Sequence, residues 1–93
     1  MKKMKILFAK IVKPSEKYST EDFLNEEKVK TVLSDRTEKH ALQLIVTWHS
    51  ENDEFFINKL ELSNENDTEE NIRGFLNESS NKHGNIVQIL LLN

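Results

Sequence analysis

Three histidines, His40, His49 and His83, and a surplus of carboxylates are the side chains here best suited to acid–base or metal chemistry. A helical zinc site needs two histidines one turn apart on one face, and no two stand at that spacing. Cysteine is absent, which excludes disulfides, thiolate catalysis and Cys-based zinc sites. The only glycines are Gly74 and Gly84, too few for a phosphate loop or a dinucleotide fingerprint. His49, Ser50 and Asp53 supply the residue types of a Ser/His/Asp triad. They fall within one turn, however, and lack the glycines that flank a strained nucleophile elbow. The expectation is a non-enzymatic protein without cofactor or metal, with its histidines capping turns or facing solvent.

The acids invite two further chemistries. Asn64 to Glu70 is rich in oxygen donors, but a calcium loop wants a glycine at its sixth position, and none is there. Asp67 and Glu70 have the three-residue spacing of a capping box, which accounts for them without metal. The adjacent pairs Glu26-Glu27 and Glu69-Glu70 would serve acid–base catalysis only if burial pushed their pKa values apart. Their setting predicts exposed helix faces instead.

Charge is unevenly spread along the chain. Residues 1–17 hold six Lys and one Glu, whereas residues 51–78 hold nine acids and two bases. The chain as a whole carries −3, which weighs against a general nucleic-acid binder. The Lys-rich start (Lys2, Lys3, Lys5 and Lys10, with Phe8 and Tyr18 nearby) is the weaker, nucleic-acid reading. The acidic block is the stronger one, as a surface that steers a basic protein partner. Its candidate contacts are Glu51, Asp53 and Glu54 in one turn, and Glu65, Asp67, Glu69 and Glu70 before a helix.

These side chains need elements to hold them. Ninety-three residues make one small domain. Residues 4–13, rich in β-branched and aromatic types, predict a strand buried on both faces and stopped by Pro14. Ser19 followed by Thr20-Glu21-Asp22 predicts a helix start, with the helix running over 20–34. Phe23 and Leu24 fit that helix poorly because they point away from Val29. The alternation in residues 28–34 keeps a strand, and with it a five-stranded meander, as the alternative. Leu42, Leu44, Val46 and Trp48 alternate with polar residues, and Phe56, Leu60 and Leu62 follow after a turn at 50–54. Together they predict a hairpin with one buried face. Ile72, Phe75 and Leu76 predict a helix over about 68–80, stopped at Asn81-Lys82-His83-Gly84. Gly74 inside it suggests close packing onto the sheet. Ile86 to Leu92 is a last strand.

The order β-α-β-β-α-β predicts an α+β fold: a four-stranded antiparallel sheet with two helices on one face, in the ferredoxin-like arrangement. That arrangement leaves the last strand at an edge, yet its apolar run has no charge to guard it. The expectation is therefore a homodimer formed across it through Ile86, Ile89, Leu90 and Leu92. The basic start is followed by apolar residues interrupted at Lys10, so no export signal is read, and no apolar run could span a bilayer. A cytoplasmic location without membrane attachment is expected. In size, charge and element order the chain resembles small protein inhibitors of the anti-CRISPR and toxin-immunity kinds. That resemblance implies carboxylates set where phosphates would sit on a basic, nucleic-acid-processing target. A small regulatory domain acting as a homodimer is the other reading.

Overall fold

The computed structural model describes residues 5–34, 42–62 and 69–93. The elements in chain order are β1 (Ile6–Ile11), α1 (Thr20–Asn25), α2 (Glu27–Ser34), β2 (Leu42–His49), β3 (Phe55–Leu62), α3 (Glu69–His83) and β4 (Asn85–Leu92). The four strands form one antiparallel sheet in the order β1-β4-β2-β3. The class is α+β, as the sequence implies, but the strand order is not the expected one.

The last strand is central, with β1 on one side and β2 on the other. The unguarded apolar run that suggested a dimer has this simpler cause. A strand with no charge between Ile86 and Leu92 occupies a position whose two edges are both hydrogen-bonded. Pairing between copies across β4 is therefore closed off. Ile86 and Ile89 are buried among the helices, while Leu90 and Leu92 lie half-buried on the opposite face. The edge falls to β1, which carries the usual protections. It is six residues long, its register shifts between Ile6 and Phe8, and Lys5 and Lys10 accompany it. The expectation of burial on both faces of this strand fails accordingly, since Ile6 is 59% and Ile11 80% exposed.

Residues 20–34 are helical but not one helix. Ser19 caps α1 with a full capping box: its side chain accepts from the Asp22 N–H, and Asp22 accepts from the Ser19 N–H. Glu26 then takes an extended conformation (φ −61°, ψ 128°) and breaks the helix. The break resolves the angular mismatch, because α2 restarts with its own phase and Phe23, Leu24 and Val29 all reach one core. Residues 28–34 lie within α2, so the meander alternative does not hold. Thr20 Oγ1 donates to Asn77 Oδ1 over 2.8 Å, fastening α1 to α3.

The core lies between the helices and one sheet face. Leu42, Leu44, Val46 and Trp48 alternate inward along β2, as read from the sequence, and meet Leu62, Ile72, Leu76, Ile86, Ile89 and Leu91. Helix α3 runs three residues past its expected end, and Gly84 then stops it at φ +114°. A Cβ on Gly84 would meet the His49 carbonyl oxygen at 2.3 Å, so the turn needs glycine both for conformation and for space. Gly74 is different: a Cβ there would meet none of the described residues within 4 Å, so close packing onto the sheet does not explain it.

Candidate functional site: an uncovered sheet face

Side chains in a strand alternate, so burying one face of the sheet under three helices commits the other residues to the opposite side. The pairing register lays these out in cross-strand rows. Ile6, Leu92, Gln43 and Glu61 form one row; Ala9, Leu90, Ile45 and Lys59 the next; Ile11, Gln88, Thr47 and Ile57 the third. Asn85, His49 and Phe55 close the hairpin end. Among the described residues no helix covers these rows. Phe55 is 61% and Ile57 71% exposed, and with Ile6 and Ile11 they place large apolar side chains on both outer strands. Half-buried Ile45, Leu90 and Leu92 join the two sides. Strand spacing and rise give this whole face, its polar members included, on the order of 400 Å², and apolar surface gathered on an uncovered face marks an interaction site. Among the described residues Lys59 and Glu61 are the only formally charged members of these rows, and they cancel.

The hairpin tip borders this face. Glu51, Asp53 and Glu54 are all exposed there beside Phe55, and Asp53 takes the left-handed conformation (φ 62°). His49 Nε2 lies 2.7 Å from Asp53 Oδ1. Ser50, however, accepts the Glu54 N–H on its Oγ at 3.2 Å, and its own N–H donates to the Glu54 carbonyl at 2.9 Å. The three triad residue types thus meet as the braces of a five-residue turn, with an aspartate side chain 89% exposed. His83 stacks on Phe56, its ring centroid 4.6 Å away, and holds the end of α3 against β3. His40 lies outside the described residues.

The rest of the acidic block sits elsewhere. Glu69 and Glu70 open α3, at the far end of β3 from the tip, roughly 25 Å away by the rise of an eight-residue strand. Glu65 and Asp67 lie outside the described residues, and so does the proposed Asp67–Glu70 capping box. Glu69 pairs with Arg73, which also reaches Glu21. The hairpin and helix acids therefore form two clusters.

No protein-family model, curated protein or solved structure matches this chain.

The Lys-rich start yields one defined cluster. Lys10 Nζ donates to Glu26 Oε1 at 2.6 Å and lies 4.9 Å from the Tyr18 ring centroid, while Tyr18 donates to the same carboxylate oxygen at 3.1 Å. The Lys10 hydrogen bond, then that of Tyr18, holds the Glu26 carboxyl below its ordinary value. Burial, then the bond to Glu26, pushes the Tyr18 hydroxyl well above the ordinary tyrosine range. Glu26 is thus no idle surface acid. It ties the break between α1 and α2 to β1 and neutralises one of the lysines considered for nucleic acid. Lys2 and Lys3 lie outside the described residues, and Lys5 is exposed.

Among the described residues no three His, Asp or Glu side chains are grouped as a metal site, and no helix is long and apolar enough to cross a membrane. Sequence reasoning missed the open face because it counted only the inward residues of each strand. The signal was there: Ile45 breaks the polar alternation of β2, while Phe55 and Ile57 put apolar side chains on the wrong parity of β3.

Proposed function

We propose that this chain is a small non-enzymatic protein that acts by binding another protein through the uncovered face of its sheet. The observation that carries the reading is the exposure of Ile6, Ile11, Phe55 and Ile57 on one continuous face of the two outer strands. A small domain has few apolar side chains to spare, and leaving four large ones in water forgoes stabilisation that a covering partner would recover. Glu51, Asp53 and Glu54 edge this face beside Phe55, which suits a partner whose apolar patch is flanked by basic groups. An inhibitor of a nucleic-acid-processing protein is one partner-binding role compatible with that surface. Apolar burial would then supply most of its affinity, because the two acidic clusters are too far apart for one continuous row of phosphate-like carboxylates.

The test compares the parent chain with an Ile11→Lys, Ile57→Lys variant as baits in the source lysate. Both side chains are exposed, so the variant should keep the parent's thermal unfolding to within about 0.5 kcal/mol per site. A stoichiometric protein retained by the parent and lost by the variant supports the open face as the contact surface. Equal capture by both rejects it.

A further inference from the structure

Beyond the open face, β3 and α3 leave between them a groove of about 580 Å³, lined by Leu60 and Glu61 from the strand and by Glu70, Asn71, Gly74, Phe75 and Glu78 from the helix. We propose that this groove binds an extended, lysine- or arginine-bearing segment of a partner protein, which adds to β3 as a fifth strand.

The backbone of β3 is prepared for such an addition. It is the outer strand of the sheet, eight residues long, and it pairs with β2 along its whole length without a bulge. The other edge, β1, is short and irregular, so the two edges are not equally protected. The Ser50 N–H bonds the Glu54 carbonyl at the turn, and antiparallel alternation from that bond turns the backbone groups of Phe55, Ile57, Lys59 and Glu61 away from β2. These are the donors and acceptors that an added strand would satisfy.

The helix supplies the wall. Residues 70, 74, 75 and 78 form a stripe along one flank of α3, and Gly74 stands in its middle. Glycine is a poorer helix former than alanine in a helix interior. None of the described residues occupies the space a side chain would take there. The glycine is accounted for if that space belongs to an occupant.

Charge selects the occupant. Two helix carboxylates, Glu70 and Glu78, line the groove with no cationic side chain among the lining residues, and Glu61 borders it from β3 with its side chain on the open face. Glu78 meets Lys82 only at 3.4 Å on the exposed helix surface, and Glu61 and Glu70 form no ion pair among the described residues. A lysine or arginine on the helix side of an added strand would lay its alkyl stem on Leu60 and Phe75 and carry its charge to Glu70 and Glu78. Residues of the opposite parity would lie beside Ile57, where apolar side chains fit.

The test uses a fluorescein-labelled peptide of alternating Lys and Val, seven residues long, on the intact chain, together with the same peptide N-methylated at alternate amides. The expected result is saturable binding that weakens with salt, and slower amide exchange at the outward positions Ile57, Lys59 and Glu61. N-methylation of the peptide, or Gly74→Leu in the protein, should each lower affinity at least ~10-fold. Leucine is the better helix former and meets open space, so the variant should fold. The N-methylated peptide probes the unaltered parent in any case. Failure of the parent to bind at millimolar peptide, equal binding of both peptides, or unchanged binding by a folded Gly74→Leu variant each overturns the proposal. A parent dimer that Gly74→Leu dissociates would also overturn it, in favour of a second copy as occupant. Gly74 is not on the open sheet face, so any of these failures leaves that reading standing.

Discussion

Asn58 donates from Nδ2 to the Oγ of Ser79 across 2.9 Å, and this bond joins the outer strand β3 to α3 beneath it. Ser79 is one of two buried polar residues among those described, so its hydroxyl needs this partner. With His83 on Phe56 at one end and Leu60 near Phe75 at the other, it sets α3 antiparallel to β3. Ser79→Ala would leave the half-buried Asn58 amide short of an acceptor, at an expected cost of about 1–2 kcal/mol. Asn58→Val with Ser79→Ala should cost less than the two single changes together. A double-mutant cycle by urea unfolding measures the difference, and strict additivity would show the bond to be idle.

Trp48 is the largest fully buried side chain, and its indole N–H has no hydrogen-bond partner among the described residues. An unpaired buried donor costs about 1–3 kcal/mol, which offsets part of what the ring contributes. Trp48→Phe removes the donor along with some ring volume. It is expected to cost about 0–2 kcal/mol, against about 3–5 kcal/mol for Trp48→Ala. Thermal unfolding of the two variants separates the terms. A Phe variant as unstable as the Ala variant would mean that the N–H is satisfied in solution.

The inward residues of β2 and β3 were legible because strict alternation fixes which face is buried, and the helix cap at Ser19 was legible because it is local. Strand order was not, because it depends on which strands exchange partners at long range. The uncharged run of β4 led to the expectation of a dimer interface, although the same run suits the sheet centre that it occupies. Nor could periodicity place the helix break, which Glu26 makes by turning toward Lys10 and Tyr18 from sequence-distant elements. The candidate site was half legible. The acids of the tip were named, but the apolar face beside them emerges only when the register aligns Ile11 with Gln88, Thr47 and Ile57.

The two glycines should respond in opposite senses to the same substitution. At Gly84 an added Cβ meets both an unfavourable φ and the His49 backbone, so Gly84→Ala should cost at least about 2 kcal/mol. Gly84→Asn should not rescue it, because the clash is with backbone. Gly74→Ala should instead raise stability by up to about 1 kcal/mol, a shift of several degrees in Tm for a domain of this size. Differential scanning calorimetry on both checks the pair. A destabilised Gly74→Ala variant would show that α3 needs glycine for its own packing.

The cluster of Lys10, Tyr18 and Glu26 should make stability depend on pH at both ends of the scale. Glu26 titrates below its ordinary value of 4.5 in the folded chain, so the unfolded chain binds the proton first as pH falls. Its contribution is fully present above that value and is lost as pH drops through the lower, folded one. Tyr18 is raised above its ordinary value of 10.0, so at higher pH the unfolded chain ionises while the folded chain resists. Stability should fall with rising pH there. Glu26→Gln removes the acid-side dependence, and it also takes away the negative acceptor that helps to hold the Tyr18 proton. It should therefore flatten the stability profile below pH 4.5 and weaken the alkaline dependence. Tyr18→Phe should abolish only the tyrosine part of the alkaline limb and, by removing one donor to Glu26, shift the acid limb toward higher pH. Urea midpoints measured at intervals from pH 3 to pH 11 test both variants against the parent. If Glu26→Gln follows the parent curve below pH 4.5, the ion pair does not persist in solution, and Lys10 is free for another partner.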